Sequence, residues 1–265
     1  MEYTATAITR CWSLDELTIQ LNGHDSVVGV LQIGSLADSA LTPASDYDLV
    51  IVVRELPQPW YVGVTQVDHR FTDLIFVAAS EVARVAVLAE PIGPDDALAP
   101  IARWIEHGTI VFDRDGQLDR AQQHLRQADW VRTPDDQAPY GAWFAINYNL
   151  AQARRMFAAE SSLYQTTLEI RMAVYGPADL WFGYFSLRGI SFEGDKAAVK
   201  YLLEHDPEFL DGYRQFIAES DPERKLVLYK RVAAHTTAPL GGLWPPDVTV
   251  MNVLETLDIW QRLLT

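Results

Sequence analysis

Residues 33–53 read IGSLADSALTPASDYDLVIVV, and this stretch decides the fold. An apolar run ends at Ile33, Gly34-Ser35 follow at once, and Asp46 and Asp48 then stand one residue apart before a second run, LVIVV at 49–53. In a strand, residues i and i+2 point to one side, so the two carboxylates share a face and Tyr47 takes the other. Carboxylates facing the same way repel unless a cation or a proton lies between them. LVIVV does not alternate, which predicts a strand buried on both faces with the aspartates at its exposed beginning. Two hard oxygen donors on the lip of a rigid sheet suit Mg²⁺, which takes few carboxylates and completes its shell from substrate phosphates and water.

A third donor has to come from a neighbouring strand. Asp73 sits inside RFTDLIFVAA, where an unpaired carboxylate among apolar residues is costly. Asp68 is its rival, but the two differ by five positions and would face opposite ways on one strand. Asp68, in QVDHR, reads as a turn residue. Gly34 lets the backbone approach a ligand closely, and the Ser35 hydroxyl with the amides that follow can bind phosphate oxygens.

Outward from this stretch the chain has two textures. From Val27 to Ala79 the apolar residues form short β-branched runs at 27–33, 49–53, 61–67 and 71–78, which predict strands. SLDELTIQLNG, ahead of the first, carries a capping box at Ser13 and Glu16 and predicts a helix ending near Gly23. GTIVFDRDGQL at 108–118 predicts an edge strand and turn, with Asp113 and Asp115 as turn residues. Beyond Ser80 the periodicity is helical. Trp143, Ile146, Leu150, Ala153 and Phe157 form one stripe, and Val250, Leu254, Leu257, Trp260 and Leu264 another. Asp206-Pro207-Glu208 and Asp221-Pro222-Glu223 read as N-cap, proline at N1 and first-turn acid. The loop signal RTPDDQAPYG at 132–141 divides an α+β domain, 1–135, from a helical one, 136–265.

Composition bounds the function. The 265 residues are 49% hydrophobic, enough for real cores, and 21 Lys+Arg against 36 Asp+Glu give a formal charge of −15. That field disfavours nucleic acid, whose phosphates need many basic contacts, and attracts cations. One cysteine, Cys11, excludes an internal disulfide and any multi-cysteine metal site. The first twenty residues do not read as a secretory signal and no run reaches membrane-spanning length, so the expectation is a cytoplasmic protein without a membrane partner. The six histidines show no HExxH, and there is no G-x-S-x-G, P-loop or GxGxxG. Trp181, Tyr184 and Trp244 are candidates for a substrate cleft, against the ordinary expectation that aromatics are core.

Gly34-Ser35, ten residues, Asp46-Tyr47-Asp48 and a later strand with Asp73 resemble the signature of the nucleotidyltransferase superfamily that includes DNA polymerase beta. GSLADSALTPASDYDLVIVV, the late GTIVFDRDG and the helical second half are most similar to the antibiotic nucleotidyltransferases, the aminoglycoside adenylyltransferases among them. The likeness covers about the first 115 residues; Ala37-Asp38-Ser39 departs from the Ala-Arg-Gly of toxin-neutralising relatives. It implies a nucleotidyltransferase-type mixed sheet with flanking helices, followed by a helical bundle.

It also implies roles. Gly34 and Ser35, with Ser45 assisting, hold the triphosphate of ATP or another nucleoside triphosphate. Asp46 and Asp48 bind Mg²⁺, and Asp73 shares a second metal or takes the proton of the attacking hydroxyl. Glu160 and Glu169 stay open as alternative bases. Lys196 or Lys200 neutralises triphosphate charge. The implied activity is transfer of a nucleoside monophosphate to a small-molecule hydroxyl, with an aminoglycoside-like polycation as the leading acceptor because of the −15 charge, and Glu160, Glu169 and Asp179 as candidate acceptor-pocket acids. A protein acceptor and a non-catalytic nucleotide-binding module are the alternatives. Monomer and homodimer are both compatible with the sequence.

Overall fold

The computed structural model describes residues 12–34, 41–42, 45–93, 96–132, 137–245, 250 and 252. Its chain forms two compact units, residues 1–132 and 133–265. The first runs α1 (Leu14–Gly23), β1 (Val27–Ile33), β2 (Tyr47–Val53), β3 (Trp60–Val67), β4 (Arg70–Ala78), α2 (Ala79–Val85), α3 (Ala99–His107), β5 (Thr109–Asp113) and α4 (Gln117–Gln127). The five strands form one mixed sheet in the order β3-β4-β2-β1-β5, with β2 and β4 parallel and the other pairs antiparallel.

Burial explains why LVIVV does not alternate. Val50 and Val52 pack with Ile75 and Val77 beneath Ile101, Ile105, Leu118 and Leu125 of α3 and α4. Leu49 and Ile51 face the other way, Leu49 toward Leu17 of α1 and Ile51 toward Val30 and Phe76. Residues 49–53 are therefore buried on both faces. The capping box forms as expected: Glu16 N–H donates to Ser13 Oγ, and Ser13 N–H to the Glu16 carboxylate.

Asp68 and His69 take φ of 50° and 62°, the left-handed pair of a two-residue hairpin turn joining β3 to β4. Asp68 is thus a turn residue, and its carboxylate accepts the Leu14 N–H at the start of α1 (3.2 Å). Asp113 ends the edge strand β5 and accepts the N–H groups of Gln117 and Asp119 (3.1 and 3.0 Å), capping α4. Asp73 lies on β4, an interior strand.

The second unit is helical: α5 (Gln137–Phe157), α6 (Ser162–Ala173), α7 (Tyr175–Ser186), α8 (Asp195–His205), α9 (Pro207–Ala218), α10 (Pro222–Thr237) and a 3₁₀ turn (Ala238–Leu240). The stripe on α5 is buried at Ile146, Leu150 and Ala153 but emerges at Phe157, in the last turn of the helix. Trp181 and Tyr184, read as cleft candidates, are core instead, at 9% and 3% exposure. Trp244 is part-exposed and packs edge-on against Trp143 and Phe144. Leu254, Leu257, Trp260 and Leu264 of the last stripe lie outside the described residues.

One side chain ties three of these helices together. Asp206 caps α9 by accepting the Phe209 N–H (3.0 Å), and its other oxygen accepts Tyr184 Oη–H of α7 (2.9 Å) and lies 2.8 Å from His235 Nε2 of α10. Burial pushes the Asp206 carboxyl up, but the Phe209 amide and then His235 and Tyr184 outweigh it and hold it below the usual aspartate value. A depressed carboxyl stabilises the fold above its unfolded pKa of about 3.9 and loses that contribution as pH falls through the lower folded value. We expect Asp206→Ala to destabilise the helical unit by roughly 2–3 kcal/mol at pH 7, a lost cap plus two lost side-chain hydrogen bonds. In urea unfolding the gap between wild type and variant should be present at pH 5 and shrink below pH 4. A gap that does not depend on pH would show that the carboxylate charge contributes nothing.

Candidate functional site

The first unit places Gly34, Asp48 and Asp73 at one end of its sheet. Asp48 is the second residue of β2, and the antiparallel register sets it opposite Ile33, the last residue of β1. On its other side the parallel register sets it opposite Asp73 of β4. Residues directly paired on neighbouring strands point to the same face about 5 Å apart, so the backbone itself holds these two carboxylates side by side. Both are part-buried. Because residues 49–53 of β2 are buried, the pair stands on a support with little freedom to yield.

Gly34 comes directly after β1 with φ of +61°, and a Cβ at this position would lie 2.7 Å from Asp48 Oδ2. Any other residue would meet both a left-handed backbone and the carboxylate. The hydrogen in place of a side chain lets the backbone lie close against the Asp48 carboxylate.

Asp46 precedes the first ladder residue, Tyr47, and is part-buried. The strand register that fixes Asp48 therefore does not fix Asp46, whose position depends on the loop before it. Thr42 and Ser45, described residues of that loop, are held by Arg70, the first residue of β4: its Nη1 donates to the carbonyls of Thr42 (2.5 Å) and Ser45 (3.0 Å), and its guanidinium lies over the Tyr47 ring, 5.5 Å from the centroid. Within the loop the Thr42 N–H donates to Ser45 Oγ (2.9 Å) and the Ser45 N–H to the Thr42 carbonyl (3.1 Å). Ser45, expected to assist a phosphate, has its hydroxyl engaged by Thr42 in this arrangement. Ser35 lies outside the described residues.

Among the described residues no three His, Cys, Asp or Glu side chains form a group arranged to hold a metal ion. Asp46, Asp48 and Asp73 thus do not make a closed cage; the register secures the Asp48–Asp73 pair, and Asp46 stands before the ladder. That donor set still suits Mg²⁺, which binds through one or two carboxylates and takes its remaining ligands from phosphate and water.

Lys196 and Lys200 belong to the helical unit, on α8, and are exposed. Of the candidate acids there, Glu160 and Glu169 are exposed. Asp179 is part-buried: it accepts from Asn149 Nδ2, Arg171 donates to Asn149 Oδ1, and burial pushes its carboxyl up against the opposing effects of Asn149 and Arg171. Sequence reasoning missed Arg70. Its signal was its place immediately after the turn and three residues before Asp73, which a surface arginine shares.

No family model and no curated protein matches the chain. Among solved structures it is similar to a nucleotidyltransferase-like protein from Exiguobacterium sibiricum 255-15, with 15% identity, 85% of this chain and 73% of that chain covered, and a TM-score of 0.42. The fold described above stands on its own strand order and register.

Arg70→Ala should cost about 1–2 kcal/mol, the net worth of hydrogen bonds from a charged donor in a part-exposed setting. Amide exchange at Thr42, Ser45 and Asp46 should accelerate while Val50 to Val52 keep their protection. Unchanged exchange in the loop would remove Arg70 as its anchor.

Proposed function

We propose that this chain is a Mg²⁺-dependent nucleotidyltransferase that moves a nucleoside monophosphate, AMP from ATP in the leading reading, onto a hydroxyl of a small molecule and releases pyrophosphate. One observation carries the reading: Asp48 and Asp73 are paired on the adjacent strands β2 and β4, and Gly34, directly after the neighbouring β1, lies against Asp48, so the three follow one another across one end of the sheet. The resemblance of Gly34-Ser35, Asp46-x-Asp48 and Asp73 to the superfamily signature supports it.

In this reading Gly34 and Ser35 receive the triphosphate, and Asp46 and Asp48 hold the cation. When bound, Mg²⁺ supplies positive charge to the phosphate oxygens and orients the triphosphate. Asp73 accepts the proton of the acceptor hydroxyl as its oxygen bonds to the α-phosphorus. The bond from that phosphorus to the bridging oxygen breaks, and pyrophosphate leaves with the electron pair. The attacking and leaving oxygens lie on opposite sides of the phosphorus, so a rigid row of groups running from triphosphate to acceptor matches the path of the reaction. Part-burial of Asp48 and Asp73 strengthens every charge interaction made there. The net charge of −15 favours the approach of a cationic molecule, which keeps aminoglycoside-type antibiotics in the first acceptor panel.

The test is an assay with labelled ATP and hydroxylated small molecules, aminoglycosides included, that follows nucleotide transfer and pyrophosphate. Asp46→Ala and Asp48→Ala should each lower transfer by at least about 10²-fold, the scale for losing one electrostatic contact to a developing charge. Full activity in both would sink the metal assignment. Asp73→Asn should lower kcat by about 10²–10⁴-fold with little change in MgATP affinity, as expected for loss of a general base. Weakened MgATP binding at unchanged kcat would make Asp73 a ligand only. Gly34→Ala should weaken MgATP binding, because the added methyl displaces Asp48 and costs about 1–2 kcal/mol in a left-handed backbone.

A further inference from the structure

The row Gly34, Asp48, Asp73 does not stop at β4. The Cα partner of Asp73 on the next strand is Val64, and Ile75 is paired with Val62. Pairing and period-2 alternation put Val62, Val64 and Phe71 on the same face as the two aspartates. Trp60, two residues before Val62, confirms which face this is: its ring meets Trp104 of α3 edge-on at 5.8 Å. The three residues are 53%, 62% and 56% exposed. Strand β3, WYVGVTQV, contains no charged residue in a chain that is 22% charged.

We propose that this strip is the platform on which the acceptor docks, and that the acceptor carries an apolar or aromatic group beside its reactive hydroxyl. The inference rests on the nucleotidyltransferase reading of the site. If the triphosphate occupies the Gly34 end, the acceptor must come to Asp73 from the opposite end of the row, because the attacking oxygen enters opposite the leaving one. The opposite end is β3. Strands lie about 4.8 Å apart, so Val64 is one strand spacing beyond Asp73, within reach of the atoms next to a hydroxyl whose proton Asp73 takes. Nothing charged projects from β3 to recognise an ammonium group at that distance. What it offers is β-branched and aromatic surface, which gains by covering apolar atoms. The overall acidity of the chain acts on approach from solution; the surface next to Asp73 decides what rests against it.

The experiment uses the full chain with Val, Leu and Ile methyl groups and backbone amides isotope-labelled, in the presence of Mg²⁺ and a non-hydrolysable ATP analogue. Benzyl alcohol, glycerol and ethanolamine are titrated separately. Benzyl alcohol should produce saturable shifts of the Val62 and Val64 methyl signals, at least several-fold larger than those from glycerol or ethanolamine at equal concentration. The shifts at Val62 should disappear in Val64→Ser, and those at Val62 and Val64 in Phe71→Ser; both substitutions change exposed side chains and should retain the dispersed spectrum of the wild type. Equal or larger responses to ethanolamine or glycerol would overturn the proposal, as would benzyl alcohol shifts that survive both substitutions. Nucleotide-induced shifts at Gly34 and Asp48 without any benzyl alcohol response would overturn the acceptor platform alone. Their absence would remove the transferase reading and the platform with it.

Discussion

The parallel pairing of β2 with β4 is the interaction on which the rest of the site depends. It places Asp48 opposite Asp73, so the backbone register itself sets the two carboxyl groups side by side. The pairing is rigid because β2 is buried on both faces, beneath helices α3 and α4 on one side and toward α1 on the other. The apolar core of the first unit thus acts on the site through the backbone, by fixing where two carboxylates must stand.

Much of this is legible in the amino-acid sequence. The lack of alternation in LVIVV signals a doubly buried strand, and the two Asp-Pro-Glu starts become N-caps with proline in the first turn, at α9 and α10. Those signals are local, and local chemistry decides them. Parity favours Asp73 over Asp68, which sits in the turn that the QVDHR context suggests.

What escapes the sequence depends on partners distant along the chain. Asp206 reads as a helix cap and is also the acceptor for Tyr184 and the neighbour of His235, 22 and 29 residues away. Trp181 and Tyr184 read as core by default with a cleft as the alternative, because an aromatic on a helix gives no sign of what it packs against; they are core. Arg70 is easily passed over because a guanidinium beside a turn reads as solvated, whereas its targets are carbonyls 28 and 25 residues earlier. Residues 61–67 read as a strand, yet nothing local tells that β3 ends the sheet and leaves Val62 and Val64 exposed.

The left-handed turn at Asp68 and His69 has a consequence for how this chain can change. A two-residue turn sets the phase of β4 from its first residue, and side chains in a strand repeat every second position. One residue gained or lost between the turn and Asp73 would rotate the carboxylate to the α1 side of the sheet, where Leu49 and Val67 pack. Two residues would restore the side while shifting the position along the strand. Length variation in this hairpin is therefore governed by parity, and lineages that alter it by odd numbers should have lost the aspartate's partnership with Asp48 even where every residue of the motif survives in the sequence.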